Sequence, residues 1–271
     1  MTNSQQTACQ KETESELVQA HIRAMHGYAP GEQPPAGKFI KLNTNENPFP
    51  PAESVVRAIQ QSAAEHLNLY PDPNCLAFRR VAADLYGVDP DWIMCGNGSD
   101  DILTILTRTF VGAGDSLRML NPSYTLYRTL AEIQNARVNV HAYTDDWQLP
   151  ETFFQAQGDR LAFLPNPNSP SGTFITPTEI AAQIDRLDCP LVVDEAYVDF
   201  AEENCVELVR QSEKVIVTRT LSKSYSLAGL RFGFAIAQPQ LIRQLMKVKD
   251  SYNCDRLSIA GATAAISDQV W

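Results

Sequence analysis

Short apolar runs alternate with helical segments along most of this chain, and that alternation leaves few architectures open. Residues 92–95, 116–120, 136–140, 161–164, 191–193, 214–217 and 233–237 read as strands, rich in β-branched and apolar side chains. Residues 53–65, 77–85, 101–110, 124–134, 178–187 and 238–249 repeat apolar residues at helical spacing. Strand–helix alternation predicts an α/β fold with a mostly parallel sheet sandwiched by helices. A length of 271 residues gives room for one large domain of this kind and part of a second.

In such sheets ligands bind beyond the carboxyl ends of the strands. Four polar stretches stand there. Gly96-Asn97-Gly98-Ser99-Asp100 precedes a helix that Ser99 or Asp100 can cap, and free backbone N–H groups make such a turn a phosphate cradle. It is not a dinucleotide or P-loop motif, because Asp101 stands where a third glycine is needed and no Gly-Lys-Ser/Thr follows. Alone, the turn is equally a plain strand–helix connection. Pro165-Asn166-Pro167-Asn168-Ser169-Pro170-Ser171-Gly172 is the second stretch. Asp194, the third, follows the fifth apolar run and is expected to be semi-buried, so it needs a cationic partner, a helix to cap or an arginine to pair with. Lys223 lies in Thr218-Arg219-Thr220-Leu221-Ser222-Lys223-Ser224-Tyr225, past a strand expected to end at Thr218. Amines walled in by apolar groups become nucleophiles able to form Schiff bases, although a lone loop lysine is more often solvated.

The net charge of −10 argues against a nucleic-acid binder. No apolar run is long enough to span a bilayer, and the polar first sixteen residues read as a disordered tail without a signal peptide, so a cytosolic protein is expected. The six cysteines form no C-x-x-C pair and read as reduced, mostly buried thiols. The four histidines have no ligand spacing, so no metal is expected. Residues 17–25 read as a short helix; the turn-rich stretches 28–35, 41–51 and 69–73 read as irregular.

Taken together, Asp194-Glu195-Ala196-Tyr197, Ser222-Lys223 and Arg231 resemble the fold-type I pyridoxal-phosphate aminotransferases. Tyr28-Ala29-Pro30-Gly31, Leu42-Asn43-Thr44-Asn45-Glu46-Asn47-Pro48, Tyr70-Pro71, the Gly96–Asp100 block and Arg219–Arg231 are similar to the histidinol-phosphate aminotransferase family, from about Tyr28 onward. The resemblance implies pyridoxal 5'-phosphate as cofactor, with Lys223 as its covalent anchor and the group that moves the α-proton. Asp194 would keep the pyridine nitrogen protonated, Tyr197 would bond the ring hydroxyl and Tyr124 would stack on the ring. Gly98, Ser99, Asp100, Ser222 and Arg231 would hold the phosphate. Tyr28, Asn45, Glu46 and Asn47 would lie on the substrate side. Tyr70 would reach the cofactor of a second subunit, which implies a homodimer.

The implied reaction moves an amino group between L-histidinol phosphate and 2-oxoglutarate. Threonine-phosphate decarboxylation, an aromatic aminotransferase activity, and a cofactor-binding fragment without turnover are the alternatives. In many relatives an asparagine directly precedes the proline of the loop after the fourth run; here Ser169 does, with Asn168 before it, and either could contact the ring hydroxyl. The family also continues into a C-terminal small domain that grips the substrate carboxylate. This chain stops at Trp271, inside the helical segment 257–270, and Arg243 and Arg256 match no such motif, so poor transamination and exposed apolar surface at Leu257 and Ile266 are expected. The resulting division is a tail and helix at 1–27, a substrate-side segment at 28–52, a cofactor-binding large domain at 53–250 and the start of a small domain at 251–271.

Overall fold

The computed structural model describes residues 16–270 apart from 29, 30, 34–36, 38 and 66. The expected tail, Cys9 and Trp271 lie outside the described residues. In chain order the helices are α1 (Ala20–Ala24), α2 (Glu53–Ala64), α3 (Leu76–Tyr86), α4 (Ser99–Phe110), α5 (Leu126–Ile133), α6 (Pro177–Ala181), α7 (Leu208–Gln211), α8 (Pro239–Val248) and α9 (Arg256–Ser267). The strands are β1 (Ile93–Gly96), β2 (Ser116–Asn121), β3 (Arg137–Ala142), β4 (Leu161–Pro165), β5 (Leu191–Asp194), β6 (Val215–Thr220) and β7 (Gly233–Ile236).

They form one sheet in the order β1-β7-β6-β5-β4-β2-β3. Strands β2 to β6 pair in parallel, whereas β7 runs antiparallel to both β6 and β1. The sheet is mostly parallel, as expected, with antiparallel pairing only where β7 joins β6 and β1. Alternation along the strands feeds two cores. Leu191, Val193, Val215, Val217, Phe234 and Ile236 pack with α2, α3 and α9 on one face. Val192, Ile216, Phe163 and Ala235 pack with α4, α5 and α8 on the other.

Several element ends differ from expectation. Strand β6 continues to Thr220, because Arg219 is buried by an ion pair rather than solvated. Helix α6 starts at Pro177, not at Thr178: Thr176 and Glu179 form a reciprocal capping box, and the helix gives way to a 3-10 turn at Ile184–Arg186. Helix α9 is capped by Asp255, whose Oδ1 accepts from the N–H groups of Leu257 and Ser258 at 2.8 and 2.9 Å. It packs on α2 and α3 and buries Ile266, contrary to the exposure expected there. Cys75, Cys95, Cys189, Cys205 and Cys254 are all free and buried. Among the described residues no helix is long and apolar enough to cross a membrane.

Candidate active site

A cavity of about 670 Å³ opens at the carboxyl ends of β4, β5 and β6, walled by Pro165, Asp194 and Thr220 and covered by Asn43–Glu46. Asp194 is the last residue of β5 and stands beside Thr218 of β6. Thr218 Oγ1 donates to Asp194 Oδ1 at 3.2 Å and Tyr127 Oη donates to Oδ2 at 2.7 Å. Burial pushes the Asp194 carboxyl up from its ordinary value, and these two donors oppose that shift. No ion pair reaches it among the described residues. A fully buried carboxylate served only by neutral donors is a place for a cationic ring nitrogen.

Lys223 sits in the turn after β6 and lines the same cavity. Its Nζ donates to the Thr44 carbonyl at 2.9 Å and lies 5.4 Å from the centroid of the Tyr197 ring. Tyr197 follows Asp194 by one turn, and its Oη accepts from Asn45 Nδ2 at 3.0 Å. Asn45 and Glu46 line the cavity, with Glu46 paired to Lys41 at 2.7 Å; the Lys41 hydrogen bond holds its carboxyl below the usual range. Asn47 is turned away: its Nδ2 donates to the Ser224 carbonyl at 3.1 Å and its Oδ1 accepts from Phe49 N–H.

At the opposite end lies the glycine turn. Gly98, at φ +84°, is the N-cap of α4, so Ser99 and Asp100 are first-turn residues and not the expected caps. The cap has no side-chain hydrogen bond, which leaves the first N–H groups of α4 available for an anion. Arg231 reaches this turn: Nη1 donates to Ser222 Oγ at 3.3 Å and Nη2 to Asp100 Oδ2 at 3.4 Å. A Cβ on Gly98 would stand 2.6 Å from Arg231 Nη2, so glycine is what lets the guanidinium close on the helix start.

Tyr124 forms the remaining wall. Its Oη donates to Asp100 Oδ1 at 3.1 Å, and its ring meets those of Tyr28 and Tyr127 edge-on at 6.1 and 5.6 Å. Burial raises the pKa of its hydroxyl. Ser169 lines the cavity. Asn168 is buried, with Nδ2 donating to the Pro122 carbonyl at 3.2 Å and to Ser171 Oγ at 2.7 Å, while its Oδ1 has no hydrogen-bond partner among the described residues. Tyr70 is not in the cavity; it is exposed and stacks on Tyr252 at 4.5 Å. Among the described residues no group of His, Cys, Asp and Glu is placed to hold a metal.

The cavity thus brings together Tyr28, Asn45, Glu46, Ser99, Asp100, Tyr124, Ser169, Asp194, Tyr197, Ser222, Lys223 and Arg231. Sequence reasoning missed Tyr127, Thr218 and Thr44. Tyr127 follows Tyr124 by three residues in a segment expected to be helical from 124, which was the available signal, although α5 starts only at Leu126.

The model of the class I and II aminotransferases matches residues 37–270. The chain belongs to the class I and II aminotransferases, in the histidinol-phosphate aminotransferase family. Histidinol-phosphate aminotransferase of Rhodopirellula baltica is 59% identical over 252 residues, which are 92% of this chain and 70% of that relative. The homologue from a Geobacter species is 49% identical over 253 residues, 93% of this chain and 72% of the relative. Among solved aminotransferases, the Sinorhizobium meliloti histidinol-phosphate aminotransferase in complex with pyridoxal-5'-phosphate superposes with a TM-score of 0.78 at 29% identity. That match covers 83% of this chain and 63% of the other, so the chain spans somewhat under two thirds of that aminotransferase. The L-threonine-O-3-phosphate decarboxylase of Porphyromonas gingivalis, at 20% identity and a TM-score of 0.71, shares the fold.

Proposed function

We propose that the chain carries the pyridoxal-phosphate site of a cytosolic aminotransferase that moves an amino group between L-histidinol phosphate and 2-oxoglutarate in histidine biosynthesis. The observation that carries this reading is Asp194, buried, without a cation, and opening on the cavity that also holds Lys223. The residues fit the cofactor at both ends. Asp194 lacks the positive partner that a protonated pyridine supplies, and Arg231, Ser222 and the start of α4 form a cradle for a phosphate dianion.

Pyridoxal phosphate, when bound, supplies an aldehyde for an amine and a cationic ring that accepts electrons from a breaking C–H bond. Lys223 Nζ would anchor the cofactor and afterwards carry the proton at the substrate α-carbon. The Asp194 carboxylate would hold the proton on the ring nitrogen, and Tyr127 and Thr218 fix the rotation of that carboxylate. Tyr197 Oη and Ser169 would serve the ring hydroxyl, with Asn168 buried nearby. Tyr124 would lie against the ring, and Tyr28, Asn45 and Glu46 would close the substrate side and exclude water.

Tyr70 is assigned to the cofactor phosphate of a second subunit, consistent with its exposure and its stacking on Tyr252. Residues 53–250 form the large domain in this reading, preceded by the substrate-side segment 28–52 and followed by the start of a small domain at 251–271.

The test is reduction of the cofactor-loaded protein with borohydride, followed by peptide mapping. The adduct is expected on Lys223 and is expected to vanish in Lys223→Ala. The visible band of the loaded protein should also change on adding L-histidinol phosphate. An adduct on Lys214, Lys247 or Lys249 overturns the assignment.

A further inference from the structure

Asp194 and Lys223 lie on neighbouring chain segments, and a second set of charged groups connects those segments behind the cavity. Strand alternation sets this up. Thr218 faces Asp194 on the cavity side, so Arg219 and Glu195, each one residue on, meet on the opposite side of the sheet. Arg219 Nε donates to Glu195 Oε2 at 2.9 Å, and Nη2 lies 2.7 Å from the same oxygen. Glu195 Oε1 accepts from the Cys205 N–H at 2.5 Å. The guanidinium stacks 4.8 Å over the Tyr86 ring and donates from Nη1 to Tyr86 Oη at 3.1 Å. Each end of this buried ion pair has a further hydrogen-bond partner, Tyr86 Oη for Arg219 and the Cys205 N–H for Glu195, which helps such a pair to hold a geometry.

Arg219 has one more partner. Its Nη1 stands 3.5 Å from Oδ1 of Asp199, which lies in the 3-10 turn Val198–Phe200 directly after Tyr197. The other oxygen, Asp199 Oδ2, accepts from Ser224 Oγ. Ser224 is the residue after Lys223, and its carbonyl accepts from Asn47 Nδ2 at 3.1 Å. A continuous path thus runs from Asp194-Glu195 through Arg219 and Asp199 to Ser224-Lys223.

We propose that Asp199 is a positioning residue that sets the place of Lys223 Nζ. It ties the lysine turn, through Ser224, to the buried Arg219–Glu195 pair at the foot of the Asp194 strand. Lys223 has a long flexible stem, and among the described residues its Nζ makes one hydrogen bond, to the Thr44 carbonyl. An amine that must reach one atom repeatedly needs its backbone held from behind, and a reach error near 1 Å costs about 100-fold in rate. Asp199 is suited to this because it is partly exposed, touches no wall of the cavity and contacts both partners at once.

The inference rests on the proposed function for its purpose, but its test has an arm that does not. Competitive acetylation of the cofactor-free protein with trace acetic anhydride, read by peptide mass spectrometry, reports the reactivity of Lys223 relative to exposed Lys247. In Asp199→Ala and Ser224→Ala that ratio should change at least threefold, with the melting temperature within about 2 °C of wild type. The double variant should change no further than the singles, because both cut one link. Asp199→Asn keeps an acceptor for Ser224 and should fall between. In the cofactor-loaded protein the pH midpoint of the visible band should shift in the same order. An unchanged Lys223:Lys247 ratio in both single variants overturns the proposal, whether or not the melting temperature falls. Additive effects in the double variant overturn it too. If the protein takes up no pyridoxal phosphate, the functional reading fails, while the acetylation ratios still decide the role of Asp199.

Discussion

The hydroxyl of Tyr127 donates to Oδ2 of Asp194 at 2.7 Å, and both groups are buried. Burial raises the pKa of each, so the hydrogen bond is what keeps the carboxylate usable as an anion. Tyr127 is itself locked, stacked on Phe163 at 4.5 Å and met edge-on by Tyr124. Tyr127→Phe should therefore leave the fold intact and weaken Asp194. The expected loss is about 1.5–3 kcal/mol of charge-assisted bonding, or roughly 10- to 100-fold in substrate α-proton exchange, with cofactor still bound. Deuterium exchange at the substrate α-carbon measures it; exchange within twofold of wild type refutes it.

Asp194 also makes a prediction about stability. Its folded pKa lies above its unfolded value, so its contribution is fully present below about pH 4 and is lost as pH rises through the raised value. Asp194→Asn removes that loss. Stripped of cofactor, the variant should melt higher than wild type, and the gap should widen from pH 4 to pH 8, reaching about 1–3 kcal/mol. Adding pyridoxal phosphate should narrow the gap by supplying the missing cation. Thermal denaturation across pH, with and without cofactor, reads both effects.

Gly233 opens β7 where three segments meet. A Cβ there would stand 2.5 Å from Ser99 N, 2.7 Å from Gly98 C and 2.9 Å from Arg219 O, all main-chain atoms that cannot swing aside. Gly233→Ala should cost about 1–3 kcal/mol or more and widen the phosphate cradle. Urea denaturation should show a lower midpoint with an unchanged slope, and cofactor affinity should fall in parallel.

Arg231 offers a planar fork at the start of α4, which a lysine cannot reproduce. Arg231→Lys keeps the charge, yet the cofactor dissociation constant should rise about tenfold or more, equivalent to about 1.4 kcal/mol. Fluorescence titration with pyridoxal phosphate checks this, and an unchanged constant would mean that the α4 N–H groups carry the phosphate alone.

Asp194 and Lys223 were legible only in combination with Ser222 and Arg231, since each alone, just past a strand, reads equally as a capping carboxylate or a solvated loop lysine. Tyr127 was not, since a tyrosine on the inner face of an amphipathic helix reads as core, and its hydroxyl partner comes from a strand far along the chain. The direction of β7 was hidden for another reason. All four of its residues are buried, and a continuous buried run reads as one more parallel strand, like β4 and β5. The end of β6 was misplaced because Arg219 and Thr220 look like loop residues until Glu195 and Ser222 satisfy them. The first turn of α4 was trimmed because Ser99 and Asp100 resemble caps, whereas Gly98 takes that place. Tyr70 could be read only through resemblance, since nothing local gives an exposed tyrosine a task.

The antiparallel strand β7 lies between β1 and β6, with Gly233 paired to Gly96 on one side and Thr220 on the other. During synthesis β1 emerges early but has no neighbour to hydrogen-bond until residues 233–236 have left the ribosome. The glycine turn after β1 therefore waits, with its strand edge open, for the last piece of the sheet. Such long-range closure is slow and leaves an unpaired edge exposed in the meantime. Nascent chains halted before residue 233 should be caught by chaperones and fail to bind phosphate ligands, and those extended past residue 236 should gain both order and binding in one step.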